Sequence, residues 1–496
     1  MTTTSEYDLK VVIRYLVKIA LAALIWKVTS GVGAVIVTFW VLMSLLKDKP
    51  IEMMFWVMFI TFTSCGNRNF FVTNVVSMVI VRATLLVLSG LLSLRLLGGG
   101  REARLMTPFW GIMAYVAWEF IVSAQGFQPV VSYLKLVLFL VVFLAMYGVA
   151  NLVNRSTRAN ARTLRSAVLA VLSFVILGSM ALIPFPSMSL MVDKAAIEAM
   201  LAGEVVSLFQ GMSSHSQVLG PLMGVLGTFV FADLAFSIKK WDKLYLLLLV
   251  CCPYLCYKTS SRTGMGTMIA GIGMATLMVM KARGLGTNWK SKLVSTIGMF
   301  SVVAVIAAAA VPGIRNAVAK YALKWTKDAP VEVRMEDMLS SRQAAIDEAV
   351  MNFKKNPILG NGFQVSSDMV NTKRESLASY LSAPIEKGVW IYAIPEEGGV
   401  VGMFLFCTWL VVLFFLLIKR HAYTGASVFF AFMVSNMGEF SLFSTSYVGG
   451  FFWTLTFAAI CLDVLRMKST NMQVFSVPID VVREEVGVDM WTKQLG

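Results

Sequence analysis

Apolar stretches close to the length of a membrane-crossing helix follow one another along this chain, separated by short polar connections. Within each stretch the apolar residues run on continuously. Strands of a membrane barrel would instead alternate residue by residue, so the pattern predicts helices and excludes a barrel. The predicted spans are 12–28, 30–46, 51–65, 71–94, 107–124, 130–153, 163–185, 216–237, 242–257, 263–280, 293–312, 389–418, 424–440 and 448–465. That is 14 spans, or 12 if the short or charged stretches among the first three do not cross. The rhythm breaks once, at residues 312–388, the longest polar insert. The expected fold is therefore an all-α polytopic membrane protein of about 12–14 transmembrane helices with one large loop subdomain. Its parts are an N-terminal bundle over 1–311, the loop over 312–388, C-terminal spans over 389–466 and a tail over 467–496.

Charge orients this array. Lys47/Lys49, Arg95/Arg101/Arg104, Arg155/Arg158/Arg162/Arg165, Lys239/Lys240/Lys243, Lys281/Arg283/Lys290/Lys292, Lys419/Arg420 and Arg466/Lys468 fall on alternate connections. Basic connections stay in the cytoplasm, so both termini are expected there, with the 312–388 insert outside. Arg262 and the cations of the large loop then stand on the side that basic residues avoid.

Composition adds limits. The chain of 496 residues is 57% hydrophobic and 14% charged, well below the roughly 25% of a soluble domain. Its net charge of +15 sits mostly in the short connections, which argues against a nucleic-acid partner. The early apolar run carries Arg14, Lys18 and Lys27, so no cleavable leader is expected. Six cysteines lie in or beside apolar runs; Cys251, Cys252 and Cys256 have no histidine nearby and read as small apolar residues, so no metal or other cofactor is expected.

Several polar residues break the apolar pattern. Arg82 falls near the middle of its span, where an ionised group is costly and marks function. Glu119 and Lys135 lie in adjacent spans; they either pair to fix packing or contact a lipid phosphate or substrate. Asp233, near a cytoplasmic end, is expected to be solvated. His215, in "QGMSSHSQVLG", falls at an outer mouth, where it either transfers protons near neutral pH or only hydrogen-bonds locally. Arg262, Ser261 and the helix that follows them offer fixed charge, hydroxyls and free N–H groups to an anion. Gly264, Gly266, Gly271 and Gly273 would let helices or a bulky ligand approach the backbone. In the loop, "SSRQAAIDEAVMNFKKNP" predicts an amphipathic helix stopped by Asn356-Pro357. Arg342 would lie in its first turn, a place that suits a cation only if it faces an anion. Gly360 and Gly362 predict a turn that brings backbone close to a ligand.

Taken in order, these pieces resemble the O-antigen ligase and polymerase family of bacterial envelope glycosyltransferases, over roughly residues 200–465. "GMSSHSQVLG", "SSRTGMGTMIAGIG" (with an Arg-x10-Gly spacing from Arg262 to Gly273), "SSRQAAIDEAV…NPILGNGF" and "PEEGGVVGMF" look like the family's successive motifs. The resemblance implies a GT-C-like membrane fold and metal-independent sugar transfer on the outer membrane face. The donor would be a glycan on undecaprenyl diphosphate, and the acceptor a lipid A core in a ligase or a lipid-linked repeat unit in a polymerase. Membrane lipids and other polysaccharide-export proteins are candidate partners. Arg262, Arg342 and Arg82 would hold the diphosphate, with Ser261, Gly360, Gly362 and Lys135 in support. Two departures matter. Where ligases carry a loop histidine this chain has Glu386-Lys387-Gly388, so Glu386 or His215 would be the base; and "EVVSLFQG" lacks the family's arginine. Both favour a polymerase or a divergent member over a strict ligase. A flippase for lipid-linked oligosaccharide is the alternative, but it would need no large loop with ordered Arg and Gly motifs.

Overall fold

The computed structural model describes residues 7–29, 31–67, 69–71, 80, 83–88, 90–92, 107–190, 209–237, 242–283, 343–365, 389–438, 441–443 and 448–469. Arg82, Arg342 and Glu386 lie outside them. Among the described residues the protein is all helical, with two isolated bridges and no named strand. Besides two short ones at Thr107–Gly111 and Pro186–Ser189, the helices are α1 (Leu9–Thr29), α2 (Gly31–Leu46), α3 (Pro50–Thr63), α4 (Ile112–Ser123), α5 (Pro129–Arg155), α6 (Ala161–Ala181), α7 (Ser216–Ser237), α8 (Lys243–Lys258), α9 (Arg262–Arg283), α10 (Gln343–Lys355), α11 (Trp390–Lys419), α12 (Tyr423–Ser435) and α13 (Val448–Ser469). Six of them, α5, α6, α7, α9, α11 and α13, are long and apolar enough to cross a membrane. The protein is thus an all-α membrane protein. The last helix runs through Ser469, a little past the 466 boundary expected from the sequence.

Local chemistry sets the helix starts. Pro50 and Pro129 occupy first turns, where a missing N–H costs nothing. The Asn160 side chain accepts from Thr163 N at 2.7 Å, and Asp242 from Leu244 N at 2.8 Å, satisfying donors that no turn precedes.

Among the described residues, the basic connections at Arg155–Arg165, Asp242–Lys243 and Arg466–Lys468 gather at one end of the bundle. At the basic end, Arg162 pairs with Asp8 at 3.6 Å and Tyr7 Oη donates to Asp242 at 3.0 Å. Burial, reinforced by Asp242, raises the Tyr7 phenol above its ordinary pKa. Asp233 is the centre of this end. The expectation that it is solvated is wrong: it is fully buried, 3.2 Å from Arg165 Nε, and it also accepts from Arg466 and from the Tyr245 hydroxyl. Arg466 reaches Asp463 as well, at 2.8 Å. Without these two arginines the apolar surroundings would not tolerate the carboxylate.

At the opposite end the bonds that hold the end of α3 are between uncharged polar groups. Asn67, just after α3, donates from Nδ2 to the carbonyls of Gly211 (2.6 Å) and Met188 (2.8 Å). Ser214 N donates to Cys65 O at 2.8 Å. These bonds pin the segment that leads into α7.

Candidate functional site

The starts of α7 and α9 meet at this second end. His215 precedes α7, and its Nδ1 accepts from Gln217 N at 3.1 Å, so the ring caps the helix. An Nδ1 that accepts from an amide keeps its lone pair, and the neutral ring therefore carries its hydrogen on Nε2. Ser213 Oγ donates to His215 O at 2.8 Å and fixes the approach. Ser261 caps α9 by accepting from Gly264 N at 3.0 Å, and Ser260 before it takes a left-handed φ of 51°. Arg262 is the first residue of α9 and is half-buried.

Glycine brings the two helix starts together. A Cβ on Gly220 would lie 2.0 Å from Ser261 Cβ and Oγ, and one on Gly264 would lie 2.2 Å from Gly220 O. Cys256 Sγ, buried at the same crossing, donates to Gly220 O at 3.6 Å. Farther along, Gly271 packs on Thr228 and Gly227 on Met268. Small residues permit this backbone contact, which dispersion then rewards. Gly266 and Gly273 serve differently: nothing among the described residues would lie within 4 Å of a Cβ on either.

A second assembly joins the loop motif to α11. The helical run from Trp390 to Lys419 contains a break at Gly399, whose φ of 64° and ψ of −165° are not helical. The break frees carbonyls of the preceding turn, and other parts of the chain take them up. Asn361 N donates to Glu396 O (2.9 Å) and Glu397 O (3.0 Å), Gly362 N to Glu397 O (3.1 Å), and Trp118 Nε1 to Gly398 O (2.7 Å). In return Val400 N donates to Pro357 O at 2.8 Å. The Glu396 carboxylate accepts from Asn352 Nδ2 of α10 at 2.9 Å. Gly360 has φ +81°, and a Cβ there would sit 2.1 Å from Glu397 O, so only glycine fits. The "NPILGNGF" and "PEEGG" motifs, read separately in the sequence, are therefore two halves of one joint.

On its far side the joint rests on α4 and α5. Phe363 N donates to Ser123 Oγ at 3.3 Å, Ser132 Oγ to Phe363 O at 3.0 Å, and Lys135 Nζ to Gln364 O at 3.0 Å. Gly362, with φ +100°, approaches Gly126 here. Glu119 and Glu397 are both fully buried, and Tyr115 interacts electrostatically with both. Glu119 Oε1 packs against Gly398, close enough that a Cβ there would be 2.2 Å away. Glu119 and Lys135 thus flank the same motif pair from α4 and α5.

A short strap connects the two assemblies. Phe443 lies 5.3 Å from the Phe363 ring and stacks on Tyr115 at 5.4 Å. Ser441 N donates to Asn436 Oδ1 at 2.7 Å, and Asn436 O accepts from Trp390 N at 3.3 Å. Gly438 then abuts Thr263, next to Arg262; a Cβ on it would lie 2.0 Å from Thr263 Oγ1. Neither Asn436 nor Gly438 stands out in the sequence, though an Asn and a Gly just past an apolar run are ordinary helix-end signals.

His215, Ser261 and Arg262 thus share one cluster, and Lys135, Gly360 and Gly362 the other, with the strap between them. Among the described residues no group of three His, Cys, Asp or Glu side chains is arranged to hold a metal ion. Compared with known proteins, the chain matches no family and no curated sequence.

Proposed function

We propose that the protein is an outer-face membrane glycosyltransferase of the O-antigen ligase and polymerase type. It has about 12–14 transmembrane helices in a GT-C-like arrangement, with 312–388 as its outer loop. It moves a glycan from undecaprenyl diphosphate to a sugar acceptor, with polymerisation of lipid-linked repeat units the preferred form.

The observation that carries this reading is the meeting of two capped helix starts beside Arg262, at the end of the bundle away from the basic connections. Two positive dipole ends, a guanidinium and an imidazole donor suit a diphosphate. When the sugar–phosphate bond breaks, the leaving diphosphate gains charge, and fixed cations stabilise that gain without reorganisation. Arg342, just ahead of α10 in sequence, is assigned to the same anion, as is Arg82. The face of α9 at Gly266 and Gly273 gives the prenyl chain a smooth surface to lie on. Acceptor deprotonation falls to Glu386, because a His215 that caps α7 through Nδ1 serves better as a donor.

The lipid-linked glycans of a deletion strain test the reading. Single repeat units accumulating on the carrier mean a polymerase, and finished polymer on the carrier means a ligase. No change in carrier-linked glycans contradicts the proposal.

A further inference from the structure

The first three helices hold a site that the transfer reaction does not use. Where α1 passes the α2–α3 turn, a cavity of about 220 Å³ opens to the surface. Lys18 of α1, Lys47 and Lys49 of the turn, Glu52 of α3 and the indoles of Trp40 and Trp56 line it. The α2–α3 turn stands at the basic end, because α3 runs from it toward the Asn67 bonds at the other.

The lining has a definite electrical order. Glu52 pairs with Lys18, and with Lys49 at 3.6 Å, so one carboxylate holds two ammonium groups in place. Lys47 adds a third, and the lining keeps an excess of two positive charges. Lys18 also stands over the Tyr15 ring at 5.3 Å, and the Trp40 and Trp56 rings lie 5.1 Å apart. Lys18 is only 34% exposed and is balanced by Glu52, so the positive charge in excess falls to the turn lysines at the mouth.

An apolar track leaves the same cavity. Leu21 lines it, and Leu24 and Val28 follow at helical spacing on α1, 48%, 60% and 73% exposed. The track climbs along α1 away from the basic end. Lysines and tryptophans at the mouth with an exposed aliphatic track behind match an amphiphile that has an anionic head and an acyl tail.

We propose that this cavity binds an anionic phospholipid, with its phosphodiester among Lys18, Lys47 and Lys49 and an acyl chain along Leu21, Leu24 and Val28. The inference stands apart from the glycan-transfer reading and uses none of its residues.

The test is lipid binding to delipidated full-length protein by native mass spectrometry, with phosphatidylglycerol and phosphatidylcholine of equal chain length. The wild type binds one phosphatidylglycerol at least tenfold more tightly than phosphatidylcholine. Each lysine near a headgroup contributes roughly fivefold, so Lys47→Gln/Lys49→Gln lowers phosphatidylglycerol affinity by roughly 25-fold and leaves phosphatidylcholine unchanged. Lys49→Gln alone, at an exposed rim position, gives the fivefold loss should the double variant fold poorly. Equal affinity for the two lipids, or an unchanged preference in Lys49→Gln, overturns the proposal. So does displacement of the lipid by millimolar inorganic phosphate, which would make this a site for a soluble anion.

Discussion

Replacing Gly399 by alanine puts the joint between the loop and α11 under direct strain. At φ 64° and ψ −165° the backbone occupies a region open essentially to glycine, and a side chain there costs about 1–3 kcal/mol. The added Cβ would also lie 2.1 Å from Ile358 O, a backbone atom that no rotamer change can move aside. Against this stand three amide donors across the joint, from Asn361, Gly362 and Val400, each contributing about 1 kcal/mol. The strain is as large as the bonding, so the "NPILGNGF" segment is expected to leave α11. A shift of about 3 kcal/mol corresponds to roughly 100-fold faster amide exchange. The assay is hydrogen–deuterium exchange by mass spectrometry on peptides covering 357–363, with Gly90→Ala as the control, since a Cβ at Gly90 meets nothing within 4 Å. Glycan transfer should fall with the loss of protection. Wild-type exchange rates and full transfer in Gly399→Ala would refute the argument that the two motifs form one strained joint.

Other substitutions probe the remaining parts. Asp233→Ala leaves Arg165 and Arg466 facing each other without their carboxylate, and should destabilise the protein by about 3–5 kcal/mol in thermal unfolding in detergent. Gly264→Val drives a side chain into Gly220 O and should cost at least about 2 kcal/mol while separating Arg262 from the start of α7, read as lower thermal stability and lost transfer. His215→Asn supplies another cap acceptor and should keep stability within about 0.5 kcal/mol, whereas His215→Leu should lose about 1 kcal/mol in the same measurement. If His215 is a donor, His215→Asn retains part of the transfer activity, and a complete loss in a stable protein would return the base role to it.

Much of this was readable in the residues before any helix was placed. Where the described residues include them, at Arg155–Arg165, Lys243 and Arg466–Lys468, the basic connections mark one end of the bundle, because each depends only on the local number of charges between apolar runs. The glycine-rich start of α9 likewise announced close helix contact. The sequence misleads at Asp233: a lone carboxylate near the end of an apolar run looks solvated, and its partner Arg466 lies 233 residues away. The break in α11 was half visible. The span expected over 389–418 agrees with the helix from Trp390, but nothing local shows that the run bends at Gly399 to receive a distant loop. Gly438 against Thr263, and Phe443 between Tyr115 and Phe363, follow from packing that no local pattern encodes. His215 stands out in the sequence as a titratable group, but its capping bond to Gln217 N depends on the fold.

Arg262 tests the central claim most directly. Purified protein in proteoliposomes would be given a short glycan on undecaprenyl diphosphate, with the products separated by size. A product ladder is expected from the wild type, none from Arg262→Ala, and a weakened ladder from Arg262→Lys, which keeps the charge but not the bidentate fork. A ladder of wild-type length and yield from correctly inserted Arg262→Ala would contradict it.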